Sequence, residues 1–236
     1  MQRKIVRIIK FRHIHNYCTQ LFTKKFHDFT NIFFEILKKC VFLQLHTMRK
    51  YMRKTDVHTL HNILLYIISR LSGTQKCDVY RIVKAAFFAQ EFHIVRYLKP
   101  LYNDKIIALL YGPVPSALYD ALKCARGDFR FSDSESELKD IAAGIKFSDE
   151  VFCAVDEPDM DYLSVSQVEC LNEAIEKVKK MSFNEIRDTT HQAEWQRASQ
   201  TAQREMDLIA IAREGGADDA SIEYLKESLE FDKMLS

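Results

Sequence analysis

The sequence predicts a mainly α (α+β) fold, a compact helical domain with a small antiparallel β element. Only ten of its 236 residues are Gly or Pro, too few for a loop-dominated or collagen-like chain. Apolar residues recur at spacings of three and four over several stretches, the period of an amphipathic helix. A few short apolar runs bounded by turn residues break that pattern and read as strands. With 47% apolar and 28% charged residues, the chain can build a core and lies outside the disordered class.

Thr55 and Asp56 are placed to cap a first helix whose apolar positions are Leu60, Ile63, Leu64, Ile67, Ile68 and Leu71, with Gly73 as its stop. A second helix begins near Cys77 or Asp78 and runs through Val79, Ile82, Val83, Ala86, Phe87 and Phe88 to about His93. His58 and His61 share one face of the first helix, but no third ligand accompanies them, so they are read as solvated surface residues rather than a metal site. After Pro100, the run Ile106 to Tyr111 lacks caps and predicts a brief strand or buried connector. Gly112, Pro113 and Pro115 then predict a sharp turn, with Pro115 in the first turn of a helix over Ser116 to Leu122 that Gly127 closes.

Residues 128–140 are polar and acidic, and predict a loop followed by a short helix. Ile145 to Phe147 and Val151 to Val155 flank Ser148, Asp149 and Glu150, the pattern of a hairpin. Ser164 caps a helix with the stripe Val168, Leu171, Ala174, Ile175 and Val178. Ser182 and Glu185 have capping-box spacing for a short helix, and Ala193 to Ala198 forms another that carries Trp195. A last helix starts at Asp218 or Asp219 and runs through Ile222, Leu225 and Leu229.

Residues 1–47 differ from everything that follows. They hold nine Lys or Arg against Asp28 and Glu35, and no Gly, Pro or Ala. Arg7 and Lys10 interrupt the first apolar run, so it does not form a secretory leader. Ile32 to Leu45 contains Glu35, Lys38 and Lys39 and is shorter than the ~20 apolar residues of a membrane span. Phe, Ile, Lys and Asn have A/T-rich codons, so this segment is read as a basic N-terminal extension that is not natively translated. The expected domain is 48–236, starting at Met48 or Met52.

The formal net charge is +1, of which the extension contributes about +7, leaving residues 48–236 at about −6. A mildly acidic domain argues against nucleic acid as the main partner, because phosphate neutralisation needs a clustered basic face. The six cysteines show no C-x-x-C spacing. They are read as small packing residues of a reduced, cytoplasmic protein.

Two segments say more. They are DKIIALLYGPVPSALYDALK, residues 104–123, and LSVSQVECLNEAIEKVKKMSFNEIRDTTHQAEWQRAS, residues 163–199. Together they resemble the Panacea domain, the family of SocA-like antitoxins and phage-associated GepA-like proteins. Asp104, Ala108, Tyr111, Gly112, Pro113 and Val114 fall on the family's first motif. Leu163, Ser164, Leu171, Thr190, His191 and Trp195 fall on its second. The likeness covers roughly residues 56–200, with C-terminal helices over 201–236. The segment before Asp104, RYLKPLYN, lacks a glycine that relatives often place there.

The resemblance implies an antitoxin of a toxin–antitoxin system, which binds and neutralises a protein toxin encoded beside it. A SocA-like member acts as a protease adaptor, which is the alternative mechanism the family offers. A further alternative is a transcriptional regulator that reads DNA through residues 182–199, where Arg187 and Arg197 are the basic residues. The motif positions also have purely structural readings. A Gly-Pro turn into a helix is a backbone requirement whatever the function. Trp195 is expected in the core, with His191 hydrogen-bonding a helix end. No phosphate loop, H-E-x-x-H or G-x-S-x-G motif occurs, so neither enzymatic activity nor a metal or cofactor is expected.

Overall fold

The computed structural model describes residues 56–73, 77–128 and 136–235. The basic extension, the candidate starts at Met48 and Met52, the Thr55 cap and most of the acidic loop after Asp128 lie outside the described residues.

The first helix, α1, covers 56–71, and all six apolar positions expected to face inward are buried. Gly73, at φ +77°, ends it in the left-handed region that glycine enters without cost. Helix α2, Val79–Tyr97, is capped by Asp78, whose side chain accepts from the Arg81 N–H. It outruns the expected end at His93 by four residues, because no breaker intervenes until Leu98 adopts φ 53°. Gln90, buried within α2, accepts from the backbone N–H groups of Leu101 and Tyr102 and donates to the Tyr102 carbonyl, which fixes the chain after Pro100.

Strands β1 (Ile106–Leu109) and β2 (Gly112–Pro115) pair antiparallel, with Leu109 opposite Gly112. The expected turn at Gly112–Pro115 is therefore a strand, and the turn is the preceding pair, Leu110–Tyr111. Proline in a strand needs an edge that does not use its missing N–H, which is why Pro113 and Pro115 point to a turn in the sequence. The other edge of β1 is taken by residues 204–206: Ala108 donates to the Arg204 carbonyl at 2.8 Å, and Met206 to the Ile106 carbonyl at 2.9 Å.

Helix α3, Ser116–Arg126, follows directly, so Pro115 is its N-cap rather than part of its first turn. Helix α4 (Ser136–Ala142) leads into the hairpin of β3 (Ile145–Ser148) and β4 (Val151–Ala154). Asp149 and Glu150 both take positive φ at its turn, the backbone that suits the twist of a two-residue hairpin. Beyond a 3-10 turn at Met160–Tyr162 comes α5, Val165–Lys180, with the Ser164–Gln167 capping box. Helices α6 (Phe183–Thr190, with the Ser182–Glu185 box), α7 (Ala193–Ser199), α8 (Leu208–Glu214) and α9 (Asp219–Leu235) complete the order. This is a mainly α protein with two small two-stranded antiparallel sheets among the described residues.

The main core gathers α1, α2, α3 and α5 around Phe88 and Phe152. The C-terminal helices belong to the packed body, because Met206 and Ile211 lie in that core. Ile94, Ala212, Ile222 and Leu225 form a satellite cluster between α2, α8 and α9. Glu194, 4% exposed, ties α7 to α8: its carboxylate accepts from the Asp207 N–H at 2.6 Å and pairs with Arg197. Cys77 and Cys170 are buried as packing residues, whereas Cys153 is exposed.

His58 and His61 are not free surface groups. The His58 ring stacks on Tyr162 at 4.9 Å, and His61 Nδ1 lies 3.1 Å from the Ile141 carbonyl. Half-burial against neighbouring segments gives them packing partners that helix spacing alone does not reveal.

Candidate functional site

Helix α2 carries a lysine on its buried face. Lys84 is fully enclosed, its Nζ donates to the Pro113 carbonyl at 2.6 Å, and it lies 5.4 Å from the centre of the Tyr80 ring. Burial drives its pKa down to about 7, since the charged form loses its hydration. The signal in the sequence was a lysine within the apolar stripe, four residues after Tyr80 and four before Phe88.

Gly112 begins β2 at φ +97°, and a Cβ there would stand 2.7 Å from Lys84 Nζ, 2.7 Å from Thr190 Oγ1 and 3.3 Å from His191 Cδ2. Three elements, α2, β2 and the end of α6, thus meet at a point that only glycine leaves open. Thr190 is buried, and its hydroxyl donates to the Ile186 carbonyl at 2.9 Å. His191 closes α6 through its backbone N–H, which donates to the Arg187 carbonyl. The imidazole itself does not bond a helix end. It stacks on Trp195 at 3.6 Å with planes 6° apart, and its Nε2 is buried with no hydrogen-bond partner among the described residues. Burial, reinforced by the charges of Lys84 and Arg187, lowers the pKa of the imidazole below its usual value.

Trp195 is half-buried and packs against the main core, and its indole N–H donates to the Leu109 carbonyl at 3.0 Å. Ala108 and Val114 are buried within the hairpin, Ala108 opposite Pro113 and Val114 opposite Ile107. Asp104 stands apart from this cluster. Its carboxylate accepts from the N–H groups of Ala117 and Leu118, supplying the cap that Pro115 cannot give α3. Burial nevertheless raises its pKa to about 6, against the pull of those bonds.

Outside the cluster, the hairpin turn presents apolar surface. Leu110 is 74% and Tyr111 58% exposed. The Tyr111 ring meets Phe183 edge-on at 5.8 Å, and Phe183 packs on Tyr80 at 4.4 Å. Leu110 and Phe183 were not among the expected site residues; exposure is not legible in apolar letters. Among the described residues, no group of three or more His, Cys, Asp and Glu side chains is placed to hold a metal ion. The two arginines of residues 182–199 are both ion-paired, Arg187 with Asp188 and Arg197 with Glu194.

Residues 82–196 match the family model described as antitoxin SocA-like, Panacea domain. Over this segment the chain is similar to a Panacea domain. Its matched segment starts inside α2, just before Lys84, and ends just after Trp195, so every residue of the cluster lies within it. Helices α1, α8 and α9 of the described residues lie outside the matched segment. Searches of curated proteins and of solved structures return no match. No helix among the described residues is long and apolar enough to cross a membrane.

Proposed function

We propose that this Panacea-like protein is a cytoplasmic, non-enzymatic antitoxin that neutralises a cognate protein toxin by binding it directly. The observation that carries the reading is the exposed Leu110–Tyr111–Phe183 surface, mounted on the cluster that unites both family motifs. A contiguous apolar surface with aromatic members, rigidly supported from behind, has the character of a protein contact. The family's description as antitoxin supports the class of partner. A DNA-reading role is less well supported, since Arg187 and Arg197 are already engaged by carboxylates. The neutralising unit in this reading is 48–236, and residues 1–47 add nothing to it.

The test is growth of a bacterial host on induction of the neighbouring reading frame, alone and together with this full chain. Toxicity relieved by co-expression, with the two products co-purifying as a stable complex, is the expected result. Relief in which the partner instead disappears in an ATP- and protease-dependent way would establish the adaptor mechanism. No relief from a toxic neighbour would overturn the antitoxin reading for that pair. Peptides from residues 11–45 in protein isolated from its native source would overturn the later start.

A further inference from the structure

Helix α9 buries one face and leaves another apolar. Ile222 and Leu225 are buried in the satellite cluster, with Leu229 packed against it. On the far side Tyr224 is 59%, Phe231 57% and Met234 77% exposed. At 3.6 residues per turn these three fall within about 80° of arc. They form a continuous stripe, not a scatter of surface residues.

The stripe has a charge signature. Glu227 lies inside that arc, and Glu223 and Glu230 follow along one edge. Lys226 and Lys233 sit well away from it, Lys226 paired with Glu223 at 3.2 Å. The helix carries five carboxylates against two lysines, a net charge of −3. A second copy of α9 laid on this face would set −3 against −3. Nucleic acid and anionic membranes are repelled for the same reason. The complementary occupant is a protein groove with an apolar floor and a basic rim, filled by α9 in the manner of an amphipathic helix in a groove.

We propose that α9 is a second toxin-contacting element, which inserts Tyr224, Phe231 and Met234 into a basic-rimmed groove of the toxin while Glu223, Glu227 and Glu230 pair with that rim. This inference rests on the antitoxin reading. It adds that selectivity for one toxin is carried outside the matched family segment, which ends at residue 196.

The experiment uses the full chain and the purified product of the neighbouring toxic reading frame, with affinity and association rate measured at low and high salt. Two variants are compared with wild type: Tyr224→Ser/Phe231→Ser/Met234→Ser and Glu223→Gln/Glu227→Gln/Glu230→Gln. Both alter exposed side chains, so both keep the wild-type melting temperature. The apolar variant is expected to lose at least about tenfold in affinity, as loss of an interface hot spot does. The charge variant is expected to associate more slowly and with a shallower salt dependence. Wild type that binds and rescues, with both variants within about twofold of it, would overturn the α9 inference and leave the antitoxin reading intact. Wild type that neither binds nor rescues overturns both. Self-association of wild type that the apolar variant abolishes would assign the stripe to a second copy and overturn the proposal.

Discussion

The indole N–H of Trp195 donates to the Leu109 carbonyl at 3.0 Å, so the last residue before the exposed turn is held by the helix that carries the second motif. The same ring stacks on His191, whose Cδ2 faces the position a Gly112 Cβ would take. Trp195 thus bonds one end of the β1–β2 turn directly and backs the imidazole that faces the other.

Replacing Trp195 with Phe keeps much of the stacking surface and removes the donor. An unsatisfied carbonyl in a half-buried hairpin costs about 1 kcal/mol, which lowers Tm by about 2–4 °C in a domain of this size. Thermal denaturation checks the size of the effect, and hydrogen exchange at Leu110 and Tyr111 checks its location.

Gly112→Ala is expected to be harsher. It places a methyl group within 2.7 Å of Lys84 Nζ and Thr190 Oγ1 and forces a φ of +97° on a residue with a side chain. Strain of this kind costs about 1–3 kcal/mol before the clash is counted. A urea titration should therefore show a fall of about 2 kcal/mol or more, with an unchanged slope.

Lys84 gives the domain a pH dependence. Its folded pKa of about 7 lies below the ordinary lysine value of 10.5, so between these values the unfolded chain binds more protons than the folded one. The stability this group allows is fully present above pH 10.5 and is lost as pH falls through about 7. Lys84→Met removes the effect: its unfolding free energy should gain on wild type as pH drops from 9 to 6. A constant difference across that range would contradict the buried, ammonium-disfavouring setting.

Asp104 works in the opposite sense. Its carboxyl has a raised folded pKa of about 6 against 3.8, so the stability it contributes is fully present below pH 3.8 and lost as pH rises through about 6. Asp104→Asn keeps an acceptor for the Ala117 and Leu118 N–H groups and should flatten the profile between pH 4 and 6. Asp104→Ala removes the cap as well as the titration, so it is expected to lie about 1 kcal/mol below Asp104→Asn at both pH 4 and pH 7. Denaturation of the two variants at pH 4 and pH 7 separates capping from titration.

The exposed patch is expected to separate binding from folding. Leu110→Ser/Tyr111→Ser should leave Tm within about 2 °C of wild type, because neither side chain is in the core. It should reduce toxin affinity by at least about tenfold in a titration against the neighbouring frame's product.

Most of the helices were legible in the sequence because their signals are local. Ser164 with Gln167 and Ser182 with Glu185 satisfy helix starts within four residues, and the α1 and α5 stripes keep their period without interruption. The β1–β2 register was not legible. Its prolines argue for a turn, and the segment that backs the other edge of β1, at Arg204 and Met206, lies about a hundred residues away. The two motifs meet in space, since Gly112, Pro113, Thr190, His191 and Trp195 converge. Lys84, which bonds the Pro113 carbonyl, was hidden: a lysine in a helix is ordinarily solvated, and its burial depends on a carbonyl supplied by another element.

In the β1–β2 hairpin, the hydrogen bonds described above lie at or below Leu109 and Gly112, and none of them uses the side chains of Leu110 or Tyr111. Sequence drift at these two positions leaves folding untouched while reshaping what the tip can touch.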